Sequence, residues 1–354
     1  MIKKQTETTF IFTNIKGVLI MLSNLIICTR DTKKKGKKEF FISEPGATRY
    51  LEVSDGNFNP HPTETALNRG DWLEKVINRA TNNRKRVHPK GHPLEGYTYG
   101  DILIFVHGYN NSIKDIMIRH DLLQKNLNKL GFKGAIVSFD WPSANAALNY
   151  LEDRSDALKT AESLVKDGIM LLAMNQANEN NLKCDVDIHL IGHSTGAYVI
   201  REAFYKADQN RKLERINWNV SQVAIIGGDI SRKSMQSDDK KSSALFAHAT
   251  RITNYQNPRD SALKLSNVKR FGTQPRVGRV GVPDNSPSNV VNVDVEKHWL
   301  TLEKVKSSAN WSHSWHFYDE YFCEDLLFTI NGDLDRHSIP TRVFENGKLY
   351  LIKS

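Results

Sequence analysis

Residues 186–207 read VDIHLIGHSTGAYVIREAFYKA. VDIHLI is a short run rich in apolar and β-branched residues, the pattern of a strand buried on both faces. AYVIREAFYKA places apolar residues at helical spacing. Between them stands Gly192-His193-Ser194-Thr195-Gly196, a GxSxG at a strand-to-helix junction. The turn there is tight, and glycine on both sides lets strand and helix approach closely. Ser194 is then held with its Oγ above the carboxyl edge of a sheet, the arrangement of a nucleophile elbow.

Working outward, the same pattern recurs. Asp101–Val106, Gly134–Phe139, Gln222–Ile226, Arg251–Tyr255 and Val290–Val295 read as further buried strands. Helical periodicity runs over Ser112–Leu130, Tyr150–Met174, Ala197–Ala207, Ala244–His248 and Tyr318–Ile330. Alternation of this kind predicts an α/β fold with a mostly parallel sheet and helices on both faces. Gly36 reads as a hairpin tip between LSNLIICTR (22–30) and EFFIS (39–43), so residues 21–60 are expected to add antiparallel edge strands.

An activated serine needs a base, an acid that orients the base, and donors for the oxyanion. His107-Gly108-Tyr109-Asn110 closes the DILIFV strand, 87 positions before Ser194. The loop after that strand and the residue after the nucleophile supply the two backbone donors, here Tyr109 and Thr195. His107 itself reads as a buried histidine that shapes this loop. The acid follows a later strand, and the histidine comes last. Asp260, in the Pro-containing turn of RITNYQNPRDSAL, is the candidate acid, with Asp229 in IIGGD the alternative. His313 and His316 in SANWSHSWHFYDEYF are the candidate bases; His313 lies nearer the centre of that loop. Trp141, His193 and Tyr109 are candidate pocket residues. His313, His316 and Asp319 form an HxxH-type group without a clear further ligand, so no metal site is expected.

The chain has 354 residues, 39 % of them hydrophobic and 25 % charged, which excludes disordered, collagen-like and disulfide-dense classes. Cys28, Cys184 and Cys323 are odd in number and far apart, consistent with free thiols in a reducing, cytoplasmic setting. The net charge of +9 is uneven. RDTKKKGKK (30–38), NRKRVHPK (83–90) and the stretch 264–279 carry the basic residues and read as solvated loops. None interleaves aromatics with the charge, so no nucleic-acid partner is expected. Peripheral contact with an anionic membrane surface through these loops stays open, and the last run suggests an anionic substrate. Phe10–Cys28 is apolar but interrupted, and its longest unbroken apolar run, Val18–Leu22, is far short of the ~20 residues a span needs. Residues 1–20 are expected to be a dispensable extension, with Met21 opening a single domain over 21–354.

The set LIFVHGYNNS (103–112), SFDWPS (138–143), YLEDRSDAL (150–158), HLIGHSTGAYV (189–199), NPRDSALKLS (257–266) and SHSWHF (312–317) resembles the α/β-hydrolases, specifically a bacterial esterase/lipase-like branch of uncharacterised function. The pieces run in order across about 215 residues. The resemblance implies an α/β-hydrolase fold and Ser194, Asp260 and His313 as a triad. It also implies hydrolysis of a small-molecule or lipid carboxylic ester without a cofactor. A phospholipase or acyltransferase using the same triad, or a non-catalytic interaction protein, are the alternatives. The N-terminal 60 residues have no counterpart in the resemblance.

Overall fold

The computed structural model describes residues 22–143, 160–169, 184–210, 218–264, 274–302 and 309–353. Residues 1–20 and most of the helix expected over Tyr150–Met174 lie outside these.

The strands among them are β1 (Asn24–Lys35), β2 (Lys38–Val53), β3 (Ala66–Leu67), β4 (Thr98–Val106), β5 (Ala135–Asp140), β6 (Cys184–His193), β7 (Val220–Ile226), β8 (Ala249–Gln256), β9 (Val290–Asp294), β10 (Arg342–Glu345) and β11 (Lys348–Leu351). They form one sheet in the order β10-β11-β9-β8-β7-β6-β4-β5-β1-β2-β3. From β11 to β1 every neighbouring pair is parallel, and only β10, β2 and β3 pair antiparallel. The principal helices are α1 (Arg69–Ala80), α2 (Ile113–Lys129), α3 (Thr195–Asp208), α4 (Ser243–His248), α5 (Val277–Val280), α6 (Glu296–Trp299), α7 (Ala309–Ser314) and α8 (Glu320–Asn331).

Period-two alternation explains why the central strands read as continuous apolar runs. Ile102, Ile104 and Val106 of β4 pack into one core with Trp72 and Val76 of α1 and Ala203 and Phe204 of α3. Leu103 and Phe105 pack into the opposite core with Leu123 and Leu127 of α2 and Phe322 and Leu326 of α8. Each such large apolar side chain contributes roughly 1.5–3 kcal/mol on burial. Ser112 caps α2 in a reciprocal capping box with Asp115, and Gly332 ends α8 in the left-handed region.

The N-terminal hairpin turns at Gly36 (φ 63°) as expected. β1 does not stay at the edge, however. It inserts beside β5 in parallel register, Leu25 opposite Val137 and Cys28 opposite Asp140, while β2 and β3 cover its other side. β1 carries buried Leu25, Ile26 and Ile27 on both faces, which an edge position would waste. Among the described residues no helix is long and apolar enough to cross a membrane.

Candidate active site

β4, β6, β7 and β8 are parallel neighbours, so their carboxyl ends share one edge. Val106 lies beside Gly192, His193 beside Ile226, and Ile226 beside Tyr255. The turns that follow, 107–110, 194–196, 227–229 and 257–260, therefore crowd into one place.

Ser194 sits at φ 56°, ψ −123° between β6 and α3. A non-glycine residue held there costs roughly 1–3 kcal/mol, and the surroundings must impose it. Here the Ser194 N–H donates to the Ile226 carbonyl (3.0 Å), and its own carbonyl accepts from the Asp229 N–H (3.0 Å) and the Ala197 N–H (3.2 Å). Gly196 is required by close approach: a Cβ there would lie 2.1 Å from the Val106 oxygen.

Asp260 stands in the turn after β8. Its Oδ1 accepts the Leu263 N–H (2.9 Å), and its Oδ2 accepts the His313 Nδ1–H (2.6 Å). One partner per oxygen fixes the carboxylate plane. Asp260 is 1 % exposed and His313 12 %, so the pair is largely shielded while the imidazole keeps an opening. Ser312 Oγ accepts the Ser261 N–H (3.2 Å), stitching α7 to the Asp260 turn. Gly227 (φ 52°) faces this pair: a Cβ there would lie 3.2 Å from His313 Cε1 and 3.5 Å from Asp260 Oδ2. The imidazole–carboxylate pair therefore rests on the backbone one residue beyond the carbonyl that anchors Ser194.

The other predicted residues take distinct places. His193 is buried and donates Nε2–H to the His313 carbonyl (2.8 Å), its ring 4.6 Å from the His313 ring. Burial, with His313 adding to it, holds His193 well below the usual imidazole range. His316 is wedged between Trp315 (4.2 Å) and Phe322 (4.7 Å), and burial lowers it likewise. It packs in the core, whereas His313 holds the carboxylate. Asp229 lies beside the elbow, its Oδ1 3.1 Å from Arg276 Nε, both side chains buried. Arg276 belongs to the last basic run, so part of that charge is neutralised internally. Tyr109 is partly exposed on the loop after β4, and Thr195 is buried as the first residue of α3. His107 is buried; Trp141 donates its backbone N–H to His107 Nε2 (3.1 Å) and its indole N–H to the His107 carbonyl (2.9 Å). Asp319 accepts from His298 Nε2 (2.8 Å) and caps α8, which removes it from the HxxH group. Among the described residues no three His, Cys, Asp or Glu are arranged to hold a metal ion.

Residues 91–322 match the model of a family described as alpha/beta hydrolase of unknown function (DUF900). The chain belongs to this family. The hydrolase is also similar in structure to a protein from Lactobacillus plantarum WCFS1 classed as a cell surface hydrolase, at 14 % identity and TM-score 0.35, covering 66 % of this chain and 90 % of that one. A lipase-esterase related protein from Clostridium acetobutylicum ATCC 824 matches at 14 % identity and TM-score 0.28, covering 63 % and 95 %. The peroxisomal alpha-beta-hydrolase Lpx1 from Saccharomyces cerevisiae matches at 10 % and 0.34, covering 90 % and 91 %. All three scores lie below 0.5, and it is the family match that assigns the hydrolase. No curated protein matches the chain.

Sequence reasoning passed over Gly227, although the double glycine ending β7 marked a close approach. It also passed over Arg30 and Asn111. Arg30 was hidden among lysines, yet it is 2 % exposed and pairs with Asp140, 110 positions away.

Proposed function

We propose that this hydrolase cleaves carboxylic esters through an acyl-enzyme on Ser194. The observation that carries the reading is the 2.6 Å bond from His313 Nδ1–H to Asp260, set against Gly227 beside the strained Ser194 turn. That bond fixes the imidazole tautomer, leaving Nε2 with a lone pair. His313 Nε2 takes the Ser194 hydroxyl proton as Oγ attacks the carbonyl carbon. The carbonyl π electrons move to oxygen, and the oxyanion is met by the Tyr109 and Thr195 N–H groups. Collapse breaks the C–O bond to the alcohol, which leaves with the proton from His313. Water then attacks the acyl-enzyme, His313 takes its proton, and Ser194 leaves protonated with release of the acid. Asp260 stays ionised and stabilises the imidazolium in both halves.

The reading is tested with p-nitrophenyl acetate, butyrate and octanoate. Turnover by the wild type that falls by about 10⁶ in kcat in Ser194→Ala supports it. Turnover that survives the substitution contradicts it. Transfer to an added alcohol in place of water would move the assignment to an acyltransferase with the same residues.

A further inference from the structure

A second buried polar cluster backs the loop that carries Tyr109. It forms at the carboxyl ends of three adjacent parallel strands, because Cys28 of β1 pairs with Asp140 of β5 and Phe139 of β5 pairs with Val106 of β4. Both Asp140 oxygens lie 2.9 Å from Arg30 Nε, and one accepts from the Cys28 thiol (3.2 Å). The other arm of the same guanidinium, Nη2, donates to the Asn111 carbonyl (2.8 Å). Asn111 in turn donates its side-chain amide to the carbonyls of Gly108 (2.8 Å) and Tyr109 (2.9 Å). Its backbone N–H donates to Ser143 Oγ (3.1 Å). The Gly108 carbonyl receives a second bond, from His107 Nδ1–H (2.8 Å).

Two donors on one carbonyl fix the plane of the Gly108–Tyr109 peptide. A trans peptide directs its C=O and N–H to opposite sides. The Gly108 oxygen faces His107 and Asn111, so the Tyr109 N–H faces away from them. Gly108 itself abuts the nucleophile: a Cβ there would lie 2.6 Å from Ser194 Cβ and 3.2 Å from its Oγ.

We propose that Arg30 is a positioning residue for the oxyanion donor, acting through Asn111 to aim the Tyr109 N–H at the oxygen that develops charge. The proposal rests on the ester-hydrolase reading above. It gives the N-terminal hairpin a part in the site, since Arg30 lies outside residues 91–322, the region that the family match spans. Arginine suits the position because one planar fork serves the Asp140 carboxylate and a backbone carbonyl together, which a lysine ammonium does not reproduce.

The test compares wild type, Arg30→Lys and Asn111→Ala. Arg30→Lys keeps a cation against Asp140 and removes the arm to Asn111. Asn111→Ala removes the amide without stranding a buried charge, so it reports even where Arg30→Lys folds poorly. Each is assayed for kcat and KM on a p-nitrophenyl ester, for inhibition by a trifluoromethyl ketone that forms a tetrahedral oxyanion with serine, and for melting temperature. The expected result is a fall in kcat of about 10- to 100-fold with KM within about 3-fold, and a matching loss of ketone affinity in both variants. A purely structural role would lower the melting temperature and leave kcat and ketone affinity of the folded protein unchanged, and that result overturns the proposal. Normal wild-type turnover beside unaffected variants would sink this assignment alone. Absence of wild-type turnover would sink the ester reading and this assignment with it.

Discussion

Asp260→Asn probes the geometry most sharply, because a backbone group decides which way the new amide turns. In the wild type the Leu263 N–H donates to Oδ1 and the His313 Nδ1–H to Oδ2. An asparagine has one oxygen and one NH₂ to share between these two donors. With its oxygen toward Leu263, its NH₂ faces His313 Nδ1, which must then accept. The imidazole proton moves to Nε2, the atom that takes the serine proton in the proposed mechanism, and that base is lost. With the amide flipped, the tautomer is right but the NH₂ opposes the Leu263 N–H. Leaving that buried donor unmet costs about 1–3 kcal/mol. The productive arrangement is therefore the minor one by roughly 5- to 150-fold. Even that minor form lacks the carboxylate charge opposite the imidazolium. The two effects together predict a loss of about 10⁴ in kcat, with KM little changed and the fold intact. The assay is p-nitrophenyl butyrate hydrolysis with a thermal melt on the same sample. A kcat within tenfold of wild type, in a protein that melts normally, would refute the assignment of Asp260 as the residue that orients His313.

Other positions yield further expectations. Gly227→Ala adds a methyl 3.2 Å from His313 Cε1 at φ 52°; a strain of about 1–2 kcal/mol and a few tenths of an ångström of imidazole displacement should lower kcat at least tenfold in a folded protein. Asp325→Asn breaks the fully buried pair with Arg342, which also engages Tyr255 and Thr329, and should cost about 3–5 kcal/mol, read as a drop in melting temperature without a change in KM. Stability should fall as pH drops. Burial lowers His107, His193 and His316 and pushes His120 down to about 3, so the unfolded chain binds protons from near pH 6.5 that the folded chain refuses. For His120 the loss is about 1.4 kcal/mol per pH unit between pH 6.5 and about 3, and His120→Gln should flatten the melting temperature profile between pH 4 and 6.5.

Much of the fold was legible because both-face burial writes itself as unbroken apolar runs. DILIFV, GAIVSF, QVAII and VVNVDV all became strands of the sheet, with ends shifted by a few residues where ladder pairing continues into polar sequence, as at Thr98 and Tyr99. The GxSxG elbow was legible for the same local reason: strand, turn and helix are contiguous in sequence. The β10–β11 hairpin was missed although Asn346-Gly347 (φ 50° and 77°) joins two alternating runs, the usual mark of a tight hairpin turn. What the sequence concealed was charge pairing at long range. Arg30 looks like one more surface cation until β1 inserts beside β5 and brings it to Asp140, and Arg276 does so until it meets Asp229. Local composition reports the average fate of a basic residue, whereas burial here depends on a partner more than 40 positions away. The choice between His313 and His316 was also tertiary, since only packing shows one imidazole on a carboxylate and the other between two aromatic rings.

The central claim, an activated Ser194, is tested most directly by covalent labelling. The purified protein is treated with a fluorophosphonate and its peptides are mapped by mass spectrometry. The account predicts a single stoichiometric adduct on Ser194, absent in Ser194→Ala and slowed by orders of magnitude in His313→Ala. An unlabelled Ser194 in folded wild-type protein, or labelling equally fast without His313, would contradict it.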